Sequence, residues 1–181
     1  MIIKEFRFLT TDDISSNRWK NWSRCYEYEW ALSTLWWWTI HNTACWLDVL
    51  HKKFSKELKK YWKTHNSDYN YSEWFDNFET YDVLKKSNNK YDNVLNISML
   101  EHLPKDEFMD WLKNIIEQSN NNVIITFDYP RVNLKKVEEY LWVKCKVEWD
   151  LLNWWNSIIK NKNYSNLNIV VLHIKNNNDN T

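Results

Sequence analysis

The residues best able to do chemistry in this chain are acids, amides and small hydroxyls at the ends of short apolar runs. His41, Asn42, Thr43, Ala44 and Cys45 close the first run, Asp68 the second and Asp82 the third. Asn96 and Ser98 close the fourth, with Glu101 and His102 just beyond, and Asp128 and Tyr129 close the fifth. If these runs are strands alternating with helices, their carboxyl ends lie together, and ligands bind there at the point where the strand order reverses. Asp68 stands about twenty residues beyond the first turn, a spacing that lets an acid accept hydrogen bonds from ribose hydroxyls. An acid after the third strand can accept from an adenine amino group. The implied chemistry is binding of a nucleotide or nucleoside cofactor. Each residue alone also has a plain reading: Asp68 and Asp82 as turn acids, His102 as a cap, Cys45 as a small buried side chain. The order in which they recur is what points to a site.

The element that must position them is Thr39-Ile-His-Asn-Thr-Ala-Cys-Trp46, followed by Leu47-Asp-Val-Leu-His-Lys-Lys-Phe54. It reads as a buried strand, a tight turn and an amphipathic helix, the arrangement that sets a cofactor over a helix N-terminus. Further strands are expected at 63–68, 82–84 (with 78–81 leading into it), 91–97, 123–127, 143–148 and 168–174, with helices at 19–35, 49–61, 104–119 and 134–141 and a turn at 120–122. Pro104 and the acids after it suit a first helical turn. Alternating strands and helices imply an α/β fold with a doubly wound, mostly parallel seven-stranded sheet and right-handed crossovers. The last two strands are expected as an antiparallel edge pair. Residues 1–38 read as an N-terminal arm and covering helix, 39–175 as the ligand-binding domain, and 176–181 as a disordered polar tail.

Composition narrows the function classes. The 181 residues carry 24 basic and 24 acidic side chains, so charge offers no case for nucleic acid or an anionic membrane as partner. No apolar run reaches the roughly 18 residues of a membrane span. Met1-Ile-Ile-Lys-Glu-Phe-Arg7 lacks a signal-peptide block. Cys25, Cys45 and Cys145 form neither a disulfide framework nor a zinc spacing. A cytoplasmic location is the expectation.

One feature of the composition is extreme: there are no glycines and 14 tryptophans. At an average usage of about 7 %, a chain this long would carry on the order of 13 glycines. Trp62 and Trp142 fall at helix-to-strand junctions, where a left-handed residue is usually glycine. Trp36, Trp37 and Trp38 fall in a helix-to-strand loop, and Trp46 in the tight turn itself. Trp19, Trp22 and Trp111 lie in ordinary aromatic or amphipathic contexts. These patterns suggest that many of the tryptophans stand at encoded glycine positions, through a reassigned codon or deliberate redesign.

Tyr91-Asp-Asn-Val-Leu-Asn-Ile-Ser-Met-Leu-Glu-His-Leu103 resembles the fourth-strand motif of class I S-adenosylmethionine-dependent methyltransferases. Ile40-His-Asn-Thr-Ala-Cys-Trp46 resembles their first motif with its glycine replaced, and Val123-Ile-Ile-Thr-Phe-Asp128 their fifth strand. The resemblance covers roughly residues 22–175. It implies a Rossmann-like seven-stranded sheet with the last strand inserted antiparallel, and S-adenosylmethionine as cofactor. It implies that His41, Asn42, Thr43, Ala44, Cys45 and Trp46 cradle the methionine moiety. Asp68 would hold the ribose, Asp82 and Val83 the adenine, and Asn96, Ile97 and Ser98 the near side of the cofactor. Methyl transfer is an in-line displacement in which positioning supplies much of the catalysis. Glu101, His102 and Asp128 are the candidate bases if the acceptor must lose a proton.

The expected activity is methyl transfer to a small molecule or a glycan-type acceptor. Two other readings remain open on sequence grounds. Trp46 in the turn suits a non-catalytic relative with a blocked pocket, acting as a binding or scaffold module. A different nucleotide-binding enzyme, such as a dehydrogenase, is opposed by the Glu101-His102 motif. The acceptor and the oligomeric state are not legible.

Overall fold

A computed structural model describes residues 1–10, 12–13, 19, 23–35, 39–43, 49–70, 73, 77–104, 107–146 and 168–176. Strand β1 spans Ile2–Phe8, helix α1 Arg24–Thr34, β2 Thr39–Thr43, α2 Val49–Lys59, β3 Lys63–Asp68 and β4 Phe78–Thr80. Then come β5 Tyr91–Ile97, a 3-10 turn at Leu100–His102, α3 Phe108–Gln118, β6 Ser119–Asp128, α4 Leu134–Leu141 and β7 Ile169–Lys175.

The seven strands form one sheet in the order β1-β7-β6-β5-β2-β3-β4. The four contacts among β2 to β6 are parallel, so their carboxyl ends share one rim. Strand β7 runs antiparallel to both of its neighbours, β6 and β1. The doubly wound α/β architecture and its inserted antiparallel strand are therefore as the sequence led us to expect.

Side-chain alternation along the strands builds a core on each face. Val123, Ile125 and Phe127 of β6, with Val170 and Leu172 of β7, face Trp111, Leu112 and Ile115 of α3 and Val137 and Leu141 of α4. Ile124, Ile169 and Val171 point the other way, toward Tyr28 and Ala31 of α1 and Phe54 and Leu58 of α2. Leu50, Phe54 and Leu58 recur every four residues, which gives α2 a single apolar stripe. Asn133 caps α4, its side chain accepting from the Lys136 amide at 3.3 Å.

Several local expectations are corrected. Residues 2–8, expected in an arm, form an edge strand, because their weak alternation is completed by pairing with β7 from Ile2–Lys175 to Phe8–Val170. The region 143–148 was expected as a sixth strand; within its described part only Lys146 bridges the sheet, to Arg7. The antiparallel edge pair is thus β7 with β1. Residues 120–122, expected as a turn, lie inside β6, where Asn122 pairs with Asn93 and donates from its side chain to the Asn93 side chain at 3.1 Å. Residues 81–84 leave the sheet, and the Asp82 carboxylate folds back onto the Leu84 amide at 3.1 Å. Asn176 is not loose: its side chain donates to the carbonyls of Ile116 and Ser119 at 3.1 and 2.9 Å. Residues 177–181 lie outside the described residues.

The two junction tryptophans differ. Trp142 caps α4 in the left-handed region, at φ 55° and ψ 31°, and is 93 % exposed. Trp62 is not among the positive-φ residues; its amide donates to the Leu58 carbonyl at 3.0 Å and its indole packs on the core beside α1 and α2. Trp19 and Trp111 are buried core side chains, and Trp22, Trp36, Trp37, Trp38 and Trp46 lie outside the described residues.

Candidate functional site

The chain leaves β2 for β3 on one side and returns to β5 on the other, so the strand order reverses at β2. A crevice outside the carboxyl ends of β2 and β5 is where an open α/β sheet receives a ligand. Thr43 and Asn96 meet there. Thr43 Oγ1 donates to the Leu95 carbonyl at 2.9 Å and accepts from Asn96 Nδ2 at 2.9 Å. Asn96 is fully buried, yet its Oδ1 has no hydrogen-bond partner. A buried acceptor left in this state costs about 1–3 kcal/mol unless something donates to it. Ala44, Cys45 and Trp46 continue from Thr43 outside the described residues.

Asp68 ends β3 on the same rim. It is half-buried and accepts the Asn70 amide at 3.1 Å. Burial pushes its carboxyl above the usual aspartate range, against the Asn70 and Tyr69 amides and the nearby His51, which act to lower it. Asp82 stands next along the rim and holds Lys85 at 3.8 Å. Val83 is packed in the α3-side core, and the backbone carbonyls of Val83 and Leu84 accept from Asn114 at 3.3 and 2.8 Å.

His41 and Asn42 are placed differently from the rim residues. His41 is fully buried, with Nδ1 2.9 Å from Gln118 Oε1 and Nε2 2.7 Å from Ser67 Oγ. Burial pushes its pKa down to about 4, so the ring is neutral, and Glu79 at 3.9 Å is no ion-pair partner to it. Asn42 donates to Asn66 Oδ1 at 3.1 Å, and Ser55 donates to the same oxygen at 2.8 Å, which ties α2 to the sheet. His41 thus links β2 to α3 and β3, and Asn42 links β2 to β3. Ile97 lies in the α1-side core.

The end of β5 turns sharply at Ser98, which has φ 48°. Its amide donates to the Thr126 carbonyl at 3.0 Å, and its hydroxyl donates to Glu27 Oε1. Glu27 of α1 is wholly buried and also accepts from Thr126 Oγ1 at 2.5 Å and Arg24 at 2.6 Å. Burial alone would raise its carboxyl; Arg24 and the hydroxyls of Ser23, Ser98 and Thr126 outweigh it and hold it below the ordinary glutamate value. The sequence reading missed Arg24 and Glu27. Their i,i+3 spacing in an aromatic helix is a signal, though an ambiguous one.

Glu101 and Asp128 sit beside this cluster in the opposite condition. Glu101 Oε2 and Asp128 Oδ1 are buried without hydrogen-bond partners. Burial and the charge of Asp128 push Glu101 up to about 8, while burial and the charge of Glu27 push Asp128 up to about 6. His102 is exposed, and partial desolvation with the Arg131 and Arg24 charges holds it below the ordinary histidine value.

No family model matches the chain, and neither does any curated protein. Solved structures do. A S-adenosylmethionine-dependent methyltransferase from Archaeoglobus fulgidus matches with TM-score 0.56 and 12 % identity over 88 % of this chain and 97 % of that one. An rRNA methylase from Escherichia coli matches with TM-score 0.51 and 14 % identity over 85 % and 65 %. The N-methyltransferase NodS from Bradyrhizobium japonicum WM9, solved with S-adenosyl-L-homocysteine, matches with TM-score 0.50 and 8 % identity over 81 % of each chain. With its reversal at β2 and its antiparallel β7, this chain has the Rossmann-like fold of the S-adenosylmethionine-dependent methyltransferases.

Proposed function

We propose that the chain is a S-adenosylmethionine-dependent methyltransferase acting on a small-molecule or glycan-type acceptor. The observation that carries this reading is the rim itself. On a methyltransferase fold, a half-buried acid ends β3, and Asn96, whose buried amide oxygen lacks a partner, pairs with Thr43 at the carboxyl ends of β5 and β2 where the strand order reverses. Asp68 would hold the ribose hydroxyls, with Asp82 farther along the rim toward the adenine. Thr43, Asn96 and Ser98 would border the methionine moiety. Bound there, the cofactor supplies an electrophilic methyl group on a sulfonium. The protein's part is to align the acceptor and to manage its proton.

For the proton the two carboxyls divide the work. Asp128, ionised above about pH 6, is the group to accept a proton from the acceptor. Glu101, protonated up to about pH 8, is placed to donate a hydrogen bond. His102 is a third, more exposed candidate. Arg24 and Glu27 act as positioning residues, fixing α1 over Ser98 and Thr126.

A second reading has an observation of its own. In the sequence, Trp46 falls between β2 and α2, where a tight turn that normally takes glycine is expected, which favours a non-catalytic binding or scaffold module for the chain as written. We further propose that tryptophans 36–38, 46 and 142 stand at encoded glycine positions, with the left-handed Trp142 the supporting geometry. Calorimetric titration with S-adenosylmethionine tests both readings. Saturable binding, weakened about tenfold or more by Asp68→Ala, is the expected result for a charged acceptor of ribose hydrogen bonds. No binding, even with glycine restored at 36–38, 46 and 142, would support the scaffold reading.

A further inference from the structure

The loops after β5 and β6 enclose a cavity of about 670 Å³ between the starts of α3 and α4. That volume suits a small organic ligand, for which clefts of roughly 300–1,000 Å³ are usual. One wall is apolar: Leu103, Phe108 and Tyr129 line it. Tyr129 is steadied edge-on by Phe8, ring centroids 5.5 Å apart, so β1 supports this wall from behind. The other wall is cationic, with Arg131, Lys135, Lys136 and Lys144, against Glu138 as the one acid among the described lining residues.

Two of the cations are spoken for. Lys144 holds Glu138 at 2.9 Å, and Lys135 lies 3.9 Å from Glu139. Among the described residues, Arg131 and Lys136 have no carboxylate within ion-pair distance. Both lie at the start of α4, where the helix dipole adds to their field. Arg131 also acts electrostatically on His102 and Asp128, so this wall borders the carboxyl cluster.

We infer that this cavity receives the methyl acceptor, and that the acceptor is a small molecule with a flat apolar body and an anionic group, carboxylate or phosphate. The apolar body lies on Leu103, Phe108 and Tyr129. The anion meets Arg131 and Lys136, whose guanidinium and ammonium groups form charge-assisted hydrogen bonds with it. The acceptor role rests on the methyltransferase reading; the anion site does not.

The test uses three probes of one shape: 2-naphthoate, 2-naphthyl phosphate and the neutral 2-naphthamide, each titrated calorimetrically into the intact protein. At least one anion binds about tenfold tighter than the amide, and Arg131→Gln with Lys136→Gln abolishes that preference while leaving amide binding unchanged. The two anions, compared with each other, identify the group preferred. Equal binding of all three probes, or an anion preference that survives the double substitution, overturns the inference. Both substituted residues are exposed, so folding is preserved, and S-adenosyl-L-homocysteine titrated into the same variant binds as to the parent. If the parent fails to bind S-adenosyl-L-homocysteine while keeping its anion preference, the methyltransferase reading and the acceptor role fall and the anion site stands.

Discussion

Two buried carboxyls stand at one end of the sheet, in opposite states. Glu27 is enclosed by donors, Arg24 with the hydroxyls of Ser98 and Thr126, and its pKa is held low. Glu101 has an oxygen with no donor and faces Asp128, and its pKa is pushed up to about 8. Burial penalises the charge of both; the Arg24 cation and the donors around Glu27 overcome that penalty, while the Asp128 charge adds to it at Glu101. The first carboxyl therefore serves as a fixed strut between α1 and the strand ends. The second is a group with a proton to give, and perturbed groups of that kind cluster at functional sites.

The sharpest way to break the contrast is Glu27→Ala. It strands the Arg24 guanidinium, only 16 % exposed, together with the buried hydroxyls of Ser23, Ser98 and Thr126. Removing one partner of a buried ion pair costs about 3–5 kcal/mol, a large share of a total stability of roughly 5–15 kcal/mol. Urea unfolding should show the loss as a lower midpoint. A cost below about 1 kcal/mol would mean that the cluster is solvated and the strut is not one.

Glu101→Gln probes the other side through pH. The folded-state pKa of Glu101 is raised above its ordinary 4.5, so the folded protein holds the proton more tightly than the unfolded chain. The stability this contributes is complete below about pH 4.5 and is lost as pH rises toward about 8. Within that window Glu101 alone lowers stability by at most about 1.4 kcal/mol per pH unit, and Asp128, pushed up to about 6, adds to the fall at the lower end. Glu101→Gln keeps the shape, removes the titration and flattens the slope. Glu27, with its lowered pKa, works in the opposite sense: its contribution is present above about pH 4.5 and lost on acidification. Unfolding curves from pH 4 to 8 on parent and variant measure the difference.

The two carboxyls also show what was legible in the sequence. Strand β5 and helix α4 begin and end where the sequence placed them, because each is a periodic apolar run bounded by turn or cap residues. The rim acids follow from those strand ends. Glu101 and Asp128 were thus legible by position, and their protonation was not, since it depends on how the loops bury them. Glu27 was illegible for a different reason. Its partners Ser98 and Thr126 lie 71 and 99 residues away, and beside Arg24 it looks like a solvated helix pair. Strand β1 was missed similarly, its pairing being with the far end of the chain. His41, read from the sequence as a ligand contact, has its ring nitrogens engaged with Gln118 of α3 and Ser67 of β3, partners that only the fold brings to it.

The smallest effect concerns a residue remote from both carboxyls, and it separates backbone demand from side-chain contact. Trp142 is left-handed and almost wholly exposed, while Trp62 is half-buried with its φ in the ordinary range. A left-handed non-glycine residue costs about 1–2 kcal/mol. Glycine removes that cost but gains unfolded-chain entropy worth roughly 0.5–1 kcal/mol. With no buried indole to lose, Trp142→Gly should stabilise the protein by about 0.5–1 kcal/mol. Trp62→Gly should destabilise it, since apolar contact is lost and no strain is relieved. Neither should alter the pH slope assigned to Glu101. Thermal unfolding of the two variants decides the matter: equal losses would mean that the αL turn after α4 tolerates the indole freely, and that glycine has no special claim on position 142.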